Sequence, residues 1–274
     1  MTEVPPMKRS MQILATMVVS LFASAVPCFP QTQNEPKSAP SKAEALPTAD
    51  EIAAKCAKGS GGKEAWAKLS TLVMKGTMEI PAANLTGTVE IYTKAPNKTL
   101  RIISLADGQF VQKEAFDGQV GWRSDPQTGL KRLEGAELEE AKTESAFDTD
   151  VRMKELYPDM KVTGRAKVGD RDAFTVFTHQ PGGKAVTLYF DAQNGVRIAE
   201  DSEGPDENGK TQKISTFFED YRTLGGVQVP YRVRGEAATF TFVIRIQEAQ
   251  FNVPVENAMF AMPDATAPAT KPQP

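Results

Sequence analysis

The side chains able to do chemistry are few, and their spacing suits little of it. His179 is the single histidine among 274 residues, and no partner motif surrounds it. A general base or metal ligand needs such partners. The two cysteines, Cys28 and Cys56, are too few and too far apart for a zinc cage or a haem attachment motif. No G-x-S-x-G elbow and no phosphate loop occurs. Gly59-Ser60-Gly61-Gly62 precedes a short amphipathic stretch and reads as a helix-ending turn. Carboxylates are plentiful: Glu137, Glu139, Glu140 and Glu144 share one helix-forming stretch, and Asp201, Glu203, Asp206 and Glu207 one loop-forming stretch. A glycosidase holds two carboxyls across a cleft, one of them in an apolar pocket that raises its pKa. These acids read instead as a solvated helix face and a loop tip. The loop also lacks the spaced ligands of a calcium site. No catalytic residue, metal site or cofactor is expected.

What recurs is apolar. Ten methionines and fourteen phenylalanines are many for this length. Methionine adapts its shape, which suits a cavity for varied apolar ligands as well as plain core filling.

These residues sit on a regular pattern of elements. Thr48-Ala49-Asp50-Glu51 is a capping box, and Ile52 and Cys56 follow four apart on one helical face. A second short helix is expected at 63–69. From Leu72 the apolar period becomes two: Leu72, Met74, Gly76, Met78 and Ile80 share a face, then Leu85, Gly87, Val89 and Ile91. Further strands are expected at 98–105, 109–116 and 119–124, with Asp117-Gly118 as a hairpin turn. A helical excursion over 134–157 interrupts the strands and should cover one mouth or face of the sheet. Alternation returns at 159–168, 171–179, 184–190, 195–202, 211–222, 227–234 and 239–250. Tight turns make neighbouring strands antiparallel, and so long a twisted sheet curls.

The ends differ in character. Residues 1–25 carry Lys8 and Arg9, an apolar stretch and Ala23-Ser24-Ala25, the pattern of an export signal cut after Ala25. Residues 26–47 and 263–274 are rich in proline, alanine and charge and read as a linker and a tail. That leaves 48–262 as one domain. Cys28 follows Pro27, which is poor for lipidation; a disulfide to Cys56 is a second option; a small buried hydrophobe is the preferred reading of Cys56. The formal charge of −3 becomes −4 once Lys8, Arg9 and Glu3 leave with the signal. No basic block marks a nucleic-acid surface.

Three stretches then resemble the periplasmic lipoprotein carriers, the LolA-like family. Residues 92–101 (YTKAPNKTLR) look like that family's K-R-P-N-x-F-R segment. Residues 116–126 (FDGQVGWRSDP) are similar to its DGK-x-x-W hairpin. Residues 253–263 (VPVENAMFAMP) are similar to its closing strand. The resemblance implies a mainly β fold with flanking helices: a single curved antiparallel sheet forming an incomplete, helix-lidded β-barrel. It implies a non-catalytic periplasmic carrier whose interior receives a lipid or lipoprotein acyl chain. An envelope-stress sensor or regulatory domain binding a partner protein is the alternative, and a hydrolase the third. Ala95 stands where the best-known carriers have the arginine tied to lid movement, which bears on shuttling more than on fold. The expected cavity wall is Leu72, Met74, Met78, Val89, Ile91, Leu100, Ile102, Phe116, Trp122, Phe240, Phe242 and Ile244. A slip of one residue would exchange any of these for its neighbour.

Overall fold

The structure is a computed structural model and describes residues 45–205, 209–238 and 240–264. The expected signal, Cys28, nearly all of the linker, most of the tail, and Asp206 and Glu207 lie outside the described residues. Helix α1 (Ala49–Gly59) begins at the capping box. The Glu51 N–H donates to Thr48 Oγ1 at 3.2 Å, and the Thr48 N–H to Glu51 Oε2 at 2.7 Å. Helix α2 (Lys63–Trp66) is shorter than expected. Its continuation through Leu69 consists of tighter turns, with Leu69 N–H donating to Trp66 O.

Thirteen strands follow. The first six are β1 (Thr71–Ile80), β2 (Leu85–Lys94), β3 (Lys98–Leu105), β4 (Phe110–Phe116), β5 (Gly121–Asp125) and β6 (Gly129–Arg132). Strand β6 was not anticipated; four residues with Leu130 as the sole large apolar side chain are too short to show a period. The helical excursion resolves into α3 (Gly135–Glu144), a 3-10 turn (Thr149–Val151) and α4 (Met153–Leu156). The last seven strands are β7 (Lys161–Val168), β8 (Arg171–His179), β9 (Ala185–Asp191), β10 (Arg197–Pro205), β11 (Thr211–Leu224), β12 (Val227–Ala237) and β13 (Thr241–Phe251). Asp201 and Glu203 are therefore strand residues of β10, not loop residues.

All thirteen strands form one antiparallel sheet in the order β6-β5-β4-β3-β2-β1-β13-β12-β11-β10-β9-β8-β7. The last strand returns beside the first, while β6 and β7 are the free edges. The helical excursion is the connection between those two edges, so it must cross the open side of the curl. Two strand glycines allow the curl. A Cβ on Gly76 would lie 2.0 Å from Arg245 O, and one on Gly87 1.9 Å from Ser104 O. Only glycine permits backbones that close, and the β1–β13 register shifts at Lys75/Gly76.

Each face of the sheet is covered over part of its extent. On the inner face, α1 and α4 lie over the β8–β9 end. There Ile52, Cys56, Met153 and Tyr157 pack on Val176, Leu188 and Phe190. On the outer face, residues beyond β13 run back over β1–β5. Thr71 Oγ1 donates to Val253 O at 2.7 Å, and Trp122 Nε1 to Phe260 O at 2.9 Å. Val255 and Phe260 are thereby buried on Leu100, Ala115 and Trp122. The segment likened to a closing strand is a strap with a 3-10 turn (Asn257–Phe260), held by side chains rather than by a ladder.

Candidate functional site

The inner face is filled at one end and hollow in the middle. A cavity of about 280 Å³ lies between the curled sheet and the helical crossing. Its apolar wall comes from neighbouring strands in register. Met78 of β1 pairs with Ile244 of β13, and Ile244 with Val233 of β12, which in turn faces Phe218 of β11. Ile91 of β2, Ile103 of β3 and Phe242 complete it. The Phe242 ring lies over Gly235, where a Cβ would come within 2.1 Å of it. A side chain at Gly235 would push that ring into the hollow.

The rest of the lining is polar: Thr143 and Glu144 from the end of α3, Thr149, Tyr157 and Gln180, and Arg101, Arg197 and Glu200 from the sheet itself. Glu144 Oε2 is 4.0 Å from Arg101, and Arg197 pairs with Glu200 at 3.1 Å. Burial pushes the Glu144 carboxyl up to about 8, against the pull of Arg101. Burial would lower Arg197, but Glu200, Tyr157, Asp150 and Tyr221 offset it and hold the guanidinium above its ordinary value. Behind Glu144, burial raises Glu140 and lowers Lys184, while their mutual attraction pulls each back. The expectation of a solvated acidic helix face fails here. Glu140 is 6 % exposed, and α3 turns Glu140 and Thr143 inward while Glu139 stays out. Arg101, Arg123 and Lys184 on the sheet side supply the charge that draws these acids in.

Of the twelve residues expected on the cavity wall, Met78, Ile91, Phe242 and Ile244 are on it. Val89 and Phe240 pack in the apolar cluster adjoining it. Met74 belongs to a separate aromatic cluster with Trp66, Phe147 and Phe251, and Leu72 is buried at the start of β1. Phe116 is buried under α3 against Leu133 and Ala141. Leu100, Ile102 and Trp122 point to the outer face, in the cluster sealed by the C-terminal strap. In β3 it is Arg101 and Ile103 that face inward. Alternation failed there because both faces are buried: Leu100-Arg101-Ile102-Ile103 offers an apolar residue to each side. The polar wall was missed altogether; its one readable sign was the shortage of apolar residues in 134–145.

Elsewhere, His179 does have a partner. Its Nδ1 lies 2.6 Å from Asp159 Oδ2, and Thr178 Oγ1 donates to Asp159 Oδ1 at 2.6 Å. The bonds from His179 and Thr178 hold the Asp159 carboxyl well below the usual carboxylate range. The pair is exposed at the end of β8 and ties the loop before β7 to that strand. Among the described residues no group of three or more His, Cys, Asp or Glu side chains could hold a metal ion, and no helix is long and apolar enough to cross a membrane. Ala95 does not reach the cavity. It lines a separate open groove of about 890 Å³ with Trp66, Pro96, Phe147 and Val151.

No family model matches this sequence, and no curated protein matches it. Solved structures do. A LolA superfamily protein of Nitrosomonas europaea shares 15 % identity over 79 % of this chain and 98 % of its own, with a TM-score of 0.52. A DUF1329 family protein of Desulfovibrio piger shares 14 % over 77 % of this chain and 96 % of its own, at 0.53. A domain from Vibrio parahaemolyticus, provisionally described as an outer membrane lipoprotein-sorting protein, shares 13 % over 77 % and 94 %, at 0.52. Likeness at these identities is likeness of shape, and with the open thirteen-strand curl and the helical crossing between its edges it establishes that this chain has the LolA-like fold.

Proposed function

We propose that this protein is an exported, non-catalytic binder that holds one short apolar chain in the hollow beneath the helical crossing. One observation carries the reading: Ile91, Phe218, Val233 and Ile244, backed by the buried Met78, Ile103 and Phe242, border free space instead of a packing partner. Apolar side chains normally pack to crystal-like density, so an unfilled apolar hollow suits a ligand. At about 280 Å³ it lies just under the common range of roughly 300–1,000 Å³ for ligand sites, so it fits part of a single chain, not several. Each methylene moved into it contributes roughly 0.8 kcal/mol before ordering costs. Export rests on residues 1–25, with 48–262 as the working domain. Native mass spectrometry of gently purified protein tests this: a co-purifying lipid mass, or enhanced fluorescence of the neutral dye N-phenylnaphthylamine, supports it. A clean apoprotein that leaves the dye unchanged counts against it.

Binding of a partner protein is the second reading, favoured by the groove around Ala95. Its floor is apolar (Trp66, Leu69, Phe147, Val151), and its rim charges pair off, Lys154 with Asp50 at 2.8 Å and Arg152 with Asp148 at 3.6 Å. Delipidated protein that captures an envelope peptide, with loss on Ala95→Arg, would favour it.

A further inference from the structure

The two arginines that line the cavity are unequally matched. Arg197 pairs with Glu200 at 3.1 Å and lies over the Phe218 ring at 4.7 Å. The Arg101 guanidinium makes no hydrogen bond to any described residue. Its one ion pair among the described residues is with Glu144, at 4.0 Å, too far for a hydrogen bond. Glu114, its register partner on β4, is drawn instead to Arg123 at 3.0 Å. Burial pushes the Glu144 carboxyl up to about 8, so near neutral pH Glu144 mostly carries a proton and does not balance the guanidinium. Arg101 nonetheless lines the cavity, and its side chain keeps 32 % of its surface open. Its register partner on β2 is Ile91, part of the apolar wall. A positive, fork-shaped donor thus stands unused at the edge of an apolar hollow.

Resting on the carrier reading above, we infer that the cavity takes a free fatty acid, its carboxylate on Arg101 and its alkyl chain running past Ile91 toward Val233 and Ile244. The planar guanidinium presents paired N–H groups that fit both oxygens of a carboxylate. A protonated Glu144 beside it donates to the same head rather than repelling it. The other acids of the lining and its surroundings have cations of their own: Glu114 has Arg123, and Glu200 has Arg197. A trimethylammonium head would set a second cation against Arg101 in a partly dry site. A hydroxyl head would accept a hydrogen bond and leave the guanidinium charge unmatched.

Displacement of N-phenylnaphthylamine from the purified protein by amphiphiles of equal chain length, near neutral pH and below their micelle concentrations, separates these cases. The set is decanoate, 1-decanol and decyltrimethylammonium. Decanoate should displace the dye at a concentration about tenfold below decyltrimethylammonium. The chain's formal charge of −3 favours the cation, so that order cannot come from the protein's overall field. Arg101→Gln should erase the order and weaken decanoate about tenfold relative to 1-decanol. Equal displacement by the two ions, a cation that wins, or an unchanged decanoate-to-decanol ratio in Arg101→Gln overturns the head-group assignment and leaves the carrier reading standing. A dye that never binds removes both. The order of the two ions on the unaltered protein decides the question even where Arg101→Gln fails to fold.

Discussion

The two halves of the inner face obey the same strand alternation and end differently. Over β8 and β9, Val176, Leu188 and Phe190 meet Ile52, Cys56, Met153 and Tyr157 and form a solid core. Over β2, β11, β12 and β13, Ile91, Phe218, Val233 and Ile244 meet a hollow. The sheet does not make the difference; the cover does. Helix α1 brings an apolar stripe fixed by a complete cap. The end of α3 brings Glu140, Thr143 and Glu144, which cannot fill apolar space and are held by charge against Arg101, Arg123 and Lys184. An alternating strand therefore says which side chains share a face, while the segment laid over it decides between core and binding site.

The comparison is broken most severely in the filled half. Phe190→Ala should cost about 3–5 kcal/mol in urea unfolding, because Phe190 is 1 % exposed and its cavity cannot collapse. Ile244→Ala, which enlarges space already present, should cost only about 1–2 kcal/mol and weaken dye binding. Equal costs would mean that the hollow is as tightly packed as the core. Next, Val233→Phe should fill the hollow: dye affinity falls about tenfold or more, while stability shifts by less than about 1 kcal/mol. Thr48→Ala should cost about 1 kcal/mol through loss of the α1 cap and leave dye binding unchanged, since the cap serves only the filled half.

The last comparison is a pH slope. Burial pushes the Glu144 carboxyl up to about 8 in the folded protein, against an ordinary 4.5 in the unfolded chain. The folded state thus holds a proton over that window that the unfolded chain has released. Its contribution is fully present below about 4.5 and is lost as pH rises through about 8. Glu144→Gln should therefore flatten the decline in Tm between those values, as read by calorimetry at several pH values. An unchanged slope would mean that Glu144 is solvated like Glu139.

Much of this was legible from residues alone. The capping box, the Asp117-Gly118 turn and the period-two runs located twelve of the strands and both early helical segments, because each is a local signal. The resemblance supplied the open, lidded curl. Four of the twelve residues named for the cavity wall line it. Met78 and Ile91 have polar or charged neighbours that fix the face, as Thr77 and Glu79 do beside Met78, whereas Phe242 and Ile244 flank the buried, apolar Val243. Leu100, Ile102 and Trp122 were assigned inward because nothing local announced a C-terminal strap buried on the outer face. Gln180 was not singled out and Glu144 was read as solvated because the residues around them, such as Arg101 and Arg197, lie far away in sequence.

Xenon pressurised into crystals of the protein tests the central claim most directly, since dry apolar space binds it and packed cores do not. Xenon is predicted among Ile91, Val233 and Ile244, with none among Ile52, Leu188 and Phe190. An empty map at the first place, or equal occupancy at both, would contradict the division between hollow and filled halves.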